Sequence, residues 1–390
     1  MLKKTNKHVA LIIGRYPDTN KLLQVGIYRY TRPRHTWVFL PVPEVNVKNI
    51  LKLKDGHFDG AIGTVGRPDL AAAALSLGIP FVNLYGGHPF RGLPQVGVDD
   101  MAIGRMGAQN LLGKGFENFA FYGLERRGFS WGNWLGFKDE LRKNGKKTTR
   151  FLTRAKYPEL EEEFPQENFP SQQIYRWIAM LPKPVAIFAC DDARAQWVTE
   201  ACWRMGVKVP EEVAVLGVNN DRLHCYESYP PLSSIELPAE LAGYEAARKL
   251  NLLMSGKQQT FDPVFLQPKS VVERQSTDTL AVDDAQVVTA LSFIRENACK
   301  RITVEDIVKQ TSLSRRILEN RFRRYLGCTP FQEMRRVQLD RVNALLRETN
   351  LTIEQIADET GFGSGIRLSL EYKKNTGEAP GAYRARFRHE

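Results

Sequence analysis

Arg316, Asn320 and Arg323 follow one another at intervals of four and three, so at about 100° per residue they share one side of a helix. The opposite side carries Leu318 and Phe322, four apart, the spacing of a buried stripe. An exposed arginine can pair bidentately with O6 and N7 of guanine, and an exposed asparagine with N6 and N7 of adenine. Arg315, Arg321 and Arg324 lie to the sides, where a cation holds phosphate rather than a base. Glu319 flanks the outward face. A merely solvated charged face has the same composition, so the reading needs independent support.

A repeat supplies it. ITVEDIVKQTSLSRRILENRFRRYLGCTP (302–330) returns as LTIEQIADETGFGSGIRLSLEYKKNTGEAP (351–380). Thr303, Glu305, Ile307 and Thr311 recur as Thr352, Glu354, Ile356 and Thr360; Leu318, Gly327 and Pro330 recur as Leu368, Gly377 and Pro380. The one-residue slip falls in a turn. Each copy predicts a capped helix, a tight turn and a second, basic helix, the helix-turn-helix pattern of double-stranded DNA readers. Thr303 with Asp306 predicts the first helix start, Ser314 caps the helix after the turn, and Thr329, Pro330 and Gln332 predict a linking helix to Glu348. That helix spans roughly 28 Å at about 1.5 Å per residue, close to the roughly 34 Å between successive major-groove faces.

In the second copy Leu368 and Tyr372 predict the buried stripe, and Ile366, Leu370 and Lys373 face outward with Arg367 and Lys374 beside them and Ser364 at the helix start. Aliphatic tips touch a thymine methyl but read no donor–acceptor pattern. The second unit is therefore expected to discriminate less sharply than the first.

The upstream residues carry no reactive constellation. The six histidines are scattered without metal spacing, and no Gly-x-Ser-x-Gly, phosphate-loop or Gly-x-Gly-x-x-Gly signal follows a strand. We expect no catalytic residue, no metal and no cofactor. Five scattered cysteines argue against a disulfide framework. The apolar run from Val9 to Ile13 is too short for a signal segment or a membrane span, so a cytoplasmic protein is expected. The net charge of +11 favours a polyanionic partner only weakly; its concentration on the helix after Ser314 says more.

Apolar runs at 9–13, 61–65, 81–85, 119–123, 186–190 and 213–218 alternate with helix-length segments, the pattern of parallel strands covered on both faces. The expected fold class is a two-lobed, doubly wound α/β domain followed by an all-α domain with two helix-turn-helix units. The lobes are expected at about 8–115 plus 237–266 and at 116–236, within a domain spanning 1–275. A linker at 276–286 leads to the all-α domain at 287–390, with helix-turn-helix units at 303–325 and 352–375.

The stretch from about Val287 to Arg388 resembles the AraC/XylS DNA-binding domain, carried by Ser-Arg-Arg-x-Leu at 314–318, FRRYLGCTP at 322–330 and Gly361-Phe362. Arg367, Leu368 and Leu370 depart from that family's usual second reading helix. The first 270 residues resemble the LacI/periplasmic-binding-protein effector fold through VGVDDMAIGRMGAQNLLGKGFENFAFYG (96–123), ACDDARA (189–195), VAVLGVNND (213–221), YPPLSSI (229–235) and VVERQST (271–277). The pairing implies a sugar-activated transcription factor whose partners are operator DNA, a pentose effector, D-xylose, RNA polymerase and a second copy in a homodimer, with no membrane. A different sugar or a sugar acid, or a sugar receptor that binds no DNA, are the alternatives.

Ligands of such sheets sit beyond the carboxyl ends of the strands. Arg15, Tyr16 and Asp18 follow the first strand, Asp99 the VGV segment, Asp191 the AIFAC strand and Asn219 the VLGV strand. Asp and Asn forks with a stacking aromatic, Trp131 or Trp134, suit vicinal hydroxyls and a sugar ring face. Asp99 equally suits a helix cap near Met101, and Asp191 and Asn219 match ligand-binding positions of the resembled fold.

Overall fold

A computed structural model describes residues 6–13, 17–34, 37–42, 44–85, 89–125, 127–154, 172–257, 260–278, 282 and 284–387. They divide into two compact units, Met1–Thr279 and Leu280–Glu390.

The strands of the first unit are β1 (Lys7–Ile12), β2 (Trp37–Pro41), β3 (Gly60–Gly63), β4 (Phe81–Leu84), β5 (Gln95–Val98), β6 (Asn118–Glu125), β7 (Thr148–Arg154), β8 (Val185–Ala189), β9 (Val213–Val218), β10 (Ser233–Glu236), β11 (Val264–Leu266) and β12 (Ser270–Val272). Its helices are α1 (Pro17–Thr31), α2 (Val47–Leu51), α3 (Pro68–Leu75), α4 (Asp100–Gly113), α5 (Gly128–Lys143), α6 (Gln172–Met180), α7 (Asp192–Met205), α8 (Arg222–Glu227) and α9 (Ala239–Met254). One sheet runs β11-β5-β4-β3-β1-β2, all parallel; the other runs β12-β10-β9-β8-β6-β7, parallel except for β12.

Alternation along β1 shows why its apolar run is continuous. Val9 and Leu11 pack with Leu23 and Ile27 of α1 and Ala242 and Ala246 of α9, whereas Ala10 and Ile12 pack with Ile50, Leu70 and Ala74 on the other face. In the second lobe Tyr122, Ile187 and Val215 pack with Ile174 and Val198. The other face holds an aromatic group of Phe121, Phe137, Phe188 and Trp134.

The lobe boundary differs from the sequence expectation. Helix α4 belongs with the second sheet: a Cβ on Gly104 would come within 2.1 Å of the Asn133 carbonyl oxygen, and one on Gly136 within 2.0 Å of that of Met101. Only glycine allows α4 and α5 to approach so closely. Gly26 and Gly243 serve α1 and α9 of the first lobe in the same way. The chain passes between the sheets after β5, after β10 and after β11, so the second lobe also receives β12 and the residues after it. The expected linker is likewise shorter at both ends. Ser276 and Thr277 are fully buried in the first unit, with Ser276 Oγ donating to the Val215 carbonyl at 2.6 Å. Asp284 caps the first helix of the second unit.

That unit consists of α10 (Ala285–Asn297), α11 (Val304–Lys309), α12 (Arg315–Leu326), α13 (Pro330–Glu348), α14 (Ile353–Glu359), α15 (Gly365–Thr376) and α16 (Pro380–Phe387). It has two cores. Ile307, Leu318 and Phe322 form one with α10, while Ile356, Phe362, Leu368 and Tyr372 form the other. Helix α13 contributes Met334 and Val337 to the first and Val342, Leu345 and Leu346 to the second, so the two helix-turn-helix units share one rigid connector. The repeated residues hold matching places. Thr303 and Thr352 cap α11 and α14 through reciprocal side-chain and backbone bonds with Asp306 and Gln355. Gly327 and Gly377 end α12 and α15 at φ +69° and +84°, the left-handed cap that glycine adopts without strain.

Candidate nucleic-acid interface and effector site

Helix α12 turns Leu318 and Phe322 fully inward, which leaves Arg316, Asn320, Arg323 and Arg324 exposed. No hydrogen bond or ion pair ties down Arg316, Asn320 or Arg323 among the described residues, so their donors and acceptors face solvent. Ser314 stands at the N-cap without a side-chain cap bond. Arg315 bridges Glu305 at 2.6 Å and Glu319 at 2.9 Å. Both acids are taken up by this cation, which removes negative charge from the outward face. Arg321, expected to hold phosphate, donates from Nη1 at 2.8 Å to Asp284, whose other oxygen caps α10, and so also secures the packing of α12 on α10.

Helix α15 turns Leu368 and Tyr372 inward and exposes Ile366, Arg367, Leu370, Lys373 and Lys374. Ser364 Oγ accepts from the Arg367 amide as the helix cap. Glu354 Oε2 accepts from the Gly365 amide at 2.7 Å. In both units the repeated glutamate thus reaches across the turn to the start of the second helix.

In the first unit the post-strand residues divide by task. Arg15 and Tyr16 lie outside the described residues, and of Asp18 only the backbone is described. Asp99 caps α4, accepting from the Ala102 amide at 2.9 Å, and pairs with Arg105 at 3.2 Å. Asp191 caps α7, accepting from the Arg194 amide at 2.9 Å and from its Nη1 at 3.0 Å. The Arg194 guanidinium lies 5.1 Å from the Trp197 ring. Asn219 and Asn220, at φ +109° and +52°, form the loop after β9. Asn220 is held at both ends: its amide donates to Ser234 Oγ at 2.9 Å, and its Oδ1 accepts from Arg274 Nη2 at 2.7 Å.

The two tryptophans differ. Trp134 is only 7% exposed, packed at 5.5 Å between centroids on Phe121; it is a core residue, and its assignment as a stacking platform is withdrawn. Trp131 is 46% exposed, and the Arg150 guanidinium lies 5.5 Å from both indole rings.

Residues 108–277 match a family described as a periplasmic binding protein-like domain, and residues 307–386 match one described as a helix-turn-helix domain. The chain thus resembles a periplasmic binding protein-like domain followed by a helix-turn-helix domain. It is 29% identical over 97% of both chains to the xylose operon regulatory protein of Escherichia coli (strain K12). With its counterpart in Haemophilus influenzae it is 29% identical over 96% of this chain and 97% of that one. The solved structure of a xylose-binding transcription activator, xylR, is similar in fold, with a TM-score of 0.82, 24% identity and 98% of each chain covered.

Sequence reasoning missed three groups of the binding-protein-like domain. Tyr85 follows β4 at φ +57°, and its buried hydroxyl has no hydrogen-bond partner among the described residues. Burial, then the nearby Asp100, raises its phenol above the usual range. Asp100 opens α4 on the other lobe, where burial and then Asp99 push its carboxyl up to about 7. A Cβ on Gly132 would meet Asp100 Cβ at 2.4 Å, so the glycine makes room for the acid. Asp192 is fully buried, accepts from Ser234 Oγ at 2.6 Å and the Asp221 amide at 2.7 Å, and is raised well above the carboxylate range by burial. The apolar run at 81–85 put Tyr85 inside the strand, but β4 ends at Leu84, so the post-strand rule passed over it. Asp100 and Asp192 were hidden as the second member of each Asp-Asp pair.

Proposed function

We propose that this chain is a sugar-responsive, sequence-specific DNA-binding transcription regulator, with D-xylose or a closely related pentose as effector. The observation that carries the reading is the presence, in one chain, of a two-lobed α/β domain and an outward basic helix bearing Arg316, Asn320 and Arg323. The names of the full-length relatives support xylose as the sugar. In this reading Arg316, Asn320 and Arg323 read bases, and Arg315, Arg324, Arg367, Lys373 and Lys374 hold phosphate.

The effector lies between the lobes, against Asp191, Asn219, Trp131 and Tyr85, and Arg15, Tyr16 and Asp18 remain its candidate contacts from the sequence. Closing the lobes shifts a pre-existing equilibrium, because a ligand that touches both favours only the closed state. The acting form is a homodimer in the cytoplasm that engages RNA polymerase and performs no catalysis. A thermal-shift screen of the full chain against a monosaccharide panel tests the effector, since a ligand of the folded state raises its melting temperature. D-xylose is expected to give the largest shift; a sugar acid or hexose giving a larger one would replace it, and no shift from any sugar would reject the reading.

A further inference from the structure

Ile366 is 77% exposed and Leu370 68%. They stand four apart in the first half of α15, so one side chain lies over the other on a single face. An open recess beside them is lined by Ile353, Gly365 and Ser369. The repeat aligns Ile366 with Arg316 and Leu370 with Asn320. The two hydrocarbon tips therefore occupy, in a second copy of the same unit, the places where the first copy carries base-pairing donors and acceptors. Around them Arg367, Lys373 and Lys374 are exposed, while Glu354 is engaged by the Gly365 amide. An apolar strip with a cationic rim complements a groove floor between phosphates better than it complements another protein's core. In a major groove the group offered to a hydrocarbon is the C5-methyl of thymine.

We propose that the second helix-turn-helix unit is a methyl reader: Ile366 and Leu370 select thymine by contact with its C5-methyl, while the first unit reads hydrogen-bond patterns. The proposal rests on the DNA-binding reading above. It makes the operator asymmetric, with one half-site defined by guanine and adenine contacts and the other by one or two thymines.

The test uses the full chain and an operator obtained by randomised-site selection. Each thymine is replaced in turn by uracil, which removes the methyl and keeps every hydrogen-bonding group. At one or two positions of the second half-site affinity is expected to fall about fourfold, the factor equivalent to roughly 0.8 kcal/mol for one buried carbon group. The Ile366→Ala, Leu370→Ala double variant is expected to bind thymine and uracil operators alike. Uracil tolerated at every position, while Arg316→Ala still weakens binding, would overturn the methyl reader and leave DNA binding standing. Failure to select any DNA would reject the DNA-binding reading itself. A double variant with unchanged thymine preference but reduced binding of RNA polymerase or of a second copy would reassign the strip to a protein partner.

Discussion

Arg274 Nη2 donates to Asn220 Oδ1 at 2.7 Å, joining the segment through which the chain leaves the binding-protein-like domain to the loop at the carboxyl end of β9. The same guanidinium donates to the Leu232 carbonyl at 2.9 Å and lies 5.2 Å from the Tyr226 ring, while its backbone amide donates to Ser233 Oγ at 2.8 Å. A contact at Asn219 thus reaches the exit segment through one neighbouring residue. Arg274→Ala is expected to keep sugar-induced thermal stabilisation and sugar-free operator affinity but to lose most of the sugar's effect on that affinity. An unaltered response in paired titrations would remove Arg274 from the route.

Arg316→Ala and Asn320→Ala are each expected to relax base preference at one position of a half-site, by about 1 to 3 kcal/mol. Arg324→Ala is expected to weaken specific and random DNA alike. Binding titrations on both DNAs decide the matter: equal losses for Arg316→Ala would reduce it to a phosphate contact.

Much of the second unit was legible because several of its repeated residues have local backbone tasks. A threonine cap, a left-handed glycine and a proline at a helix start act on neighbours in sequence, so Thr303, Gly327 and Pro330 announce themselves. The buried stripes of Leu318 and Phe322 follow from helix geometry alone. Pairings across the chain were hidden. Nothing local says that Arg321 meets Asp284, that Trp134 packs on Phe121, or that α4 joins the second lobe, because those outcomes depend on partners brought together only by folding.

The glycine crossing of α4 and α5 makes a quantitative demand. Gly104→Ala places a methyl against the Asn133 carbonyl and is expected to cost about 1 to 3 kcal/mol, measured by urea unfolding. Gly113→Ala, where an added Cβ meets nothing within 4 Å among the described residues, is expected to be neutral or mildly stabilising. Equal stability of the two variants would mean that α4 does not sit so close to α5.

Asp100 gives a pH dependence of known sign. In the folded chain burial and then Asp99 push its carboxyl up to about 7, whereas an unfolded aspartate ionises at about 4. Between those values the folded chain binds more protons than the unfolded one, so this group's contribution to stability falls as pH rises and levels off above the folded value. Asp100→Asn, neutral throughout, is expected to melt above wild type at pH 8 and level with it at pH 4. A difference that stays constant across this window would show that Asp100 titrates as an ordinary surface acid.

Central to this account is that a sugar held by the lobes controls DNA engagement by α12 and α15. The most direct measurement is operator affinity of the full chain with and without saturating D-xylose, for wild type and for Asp191→Asn, which keeps the helix cap but loses the carboxylate paired with Arg194. The account predicts a clear sugar-dependent change for wild type and little or none for the variant, with equal sugar-free affinities. Operator binding that is unchanged by sugar in wild type, or changed equally in both proteins, would contradict it.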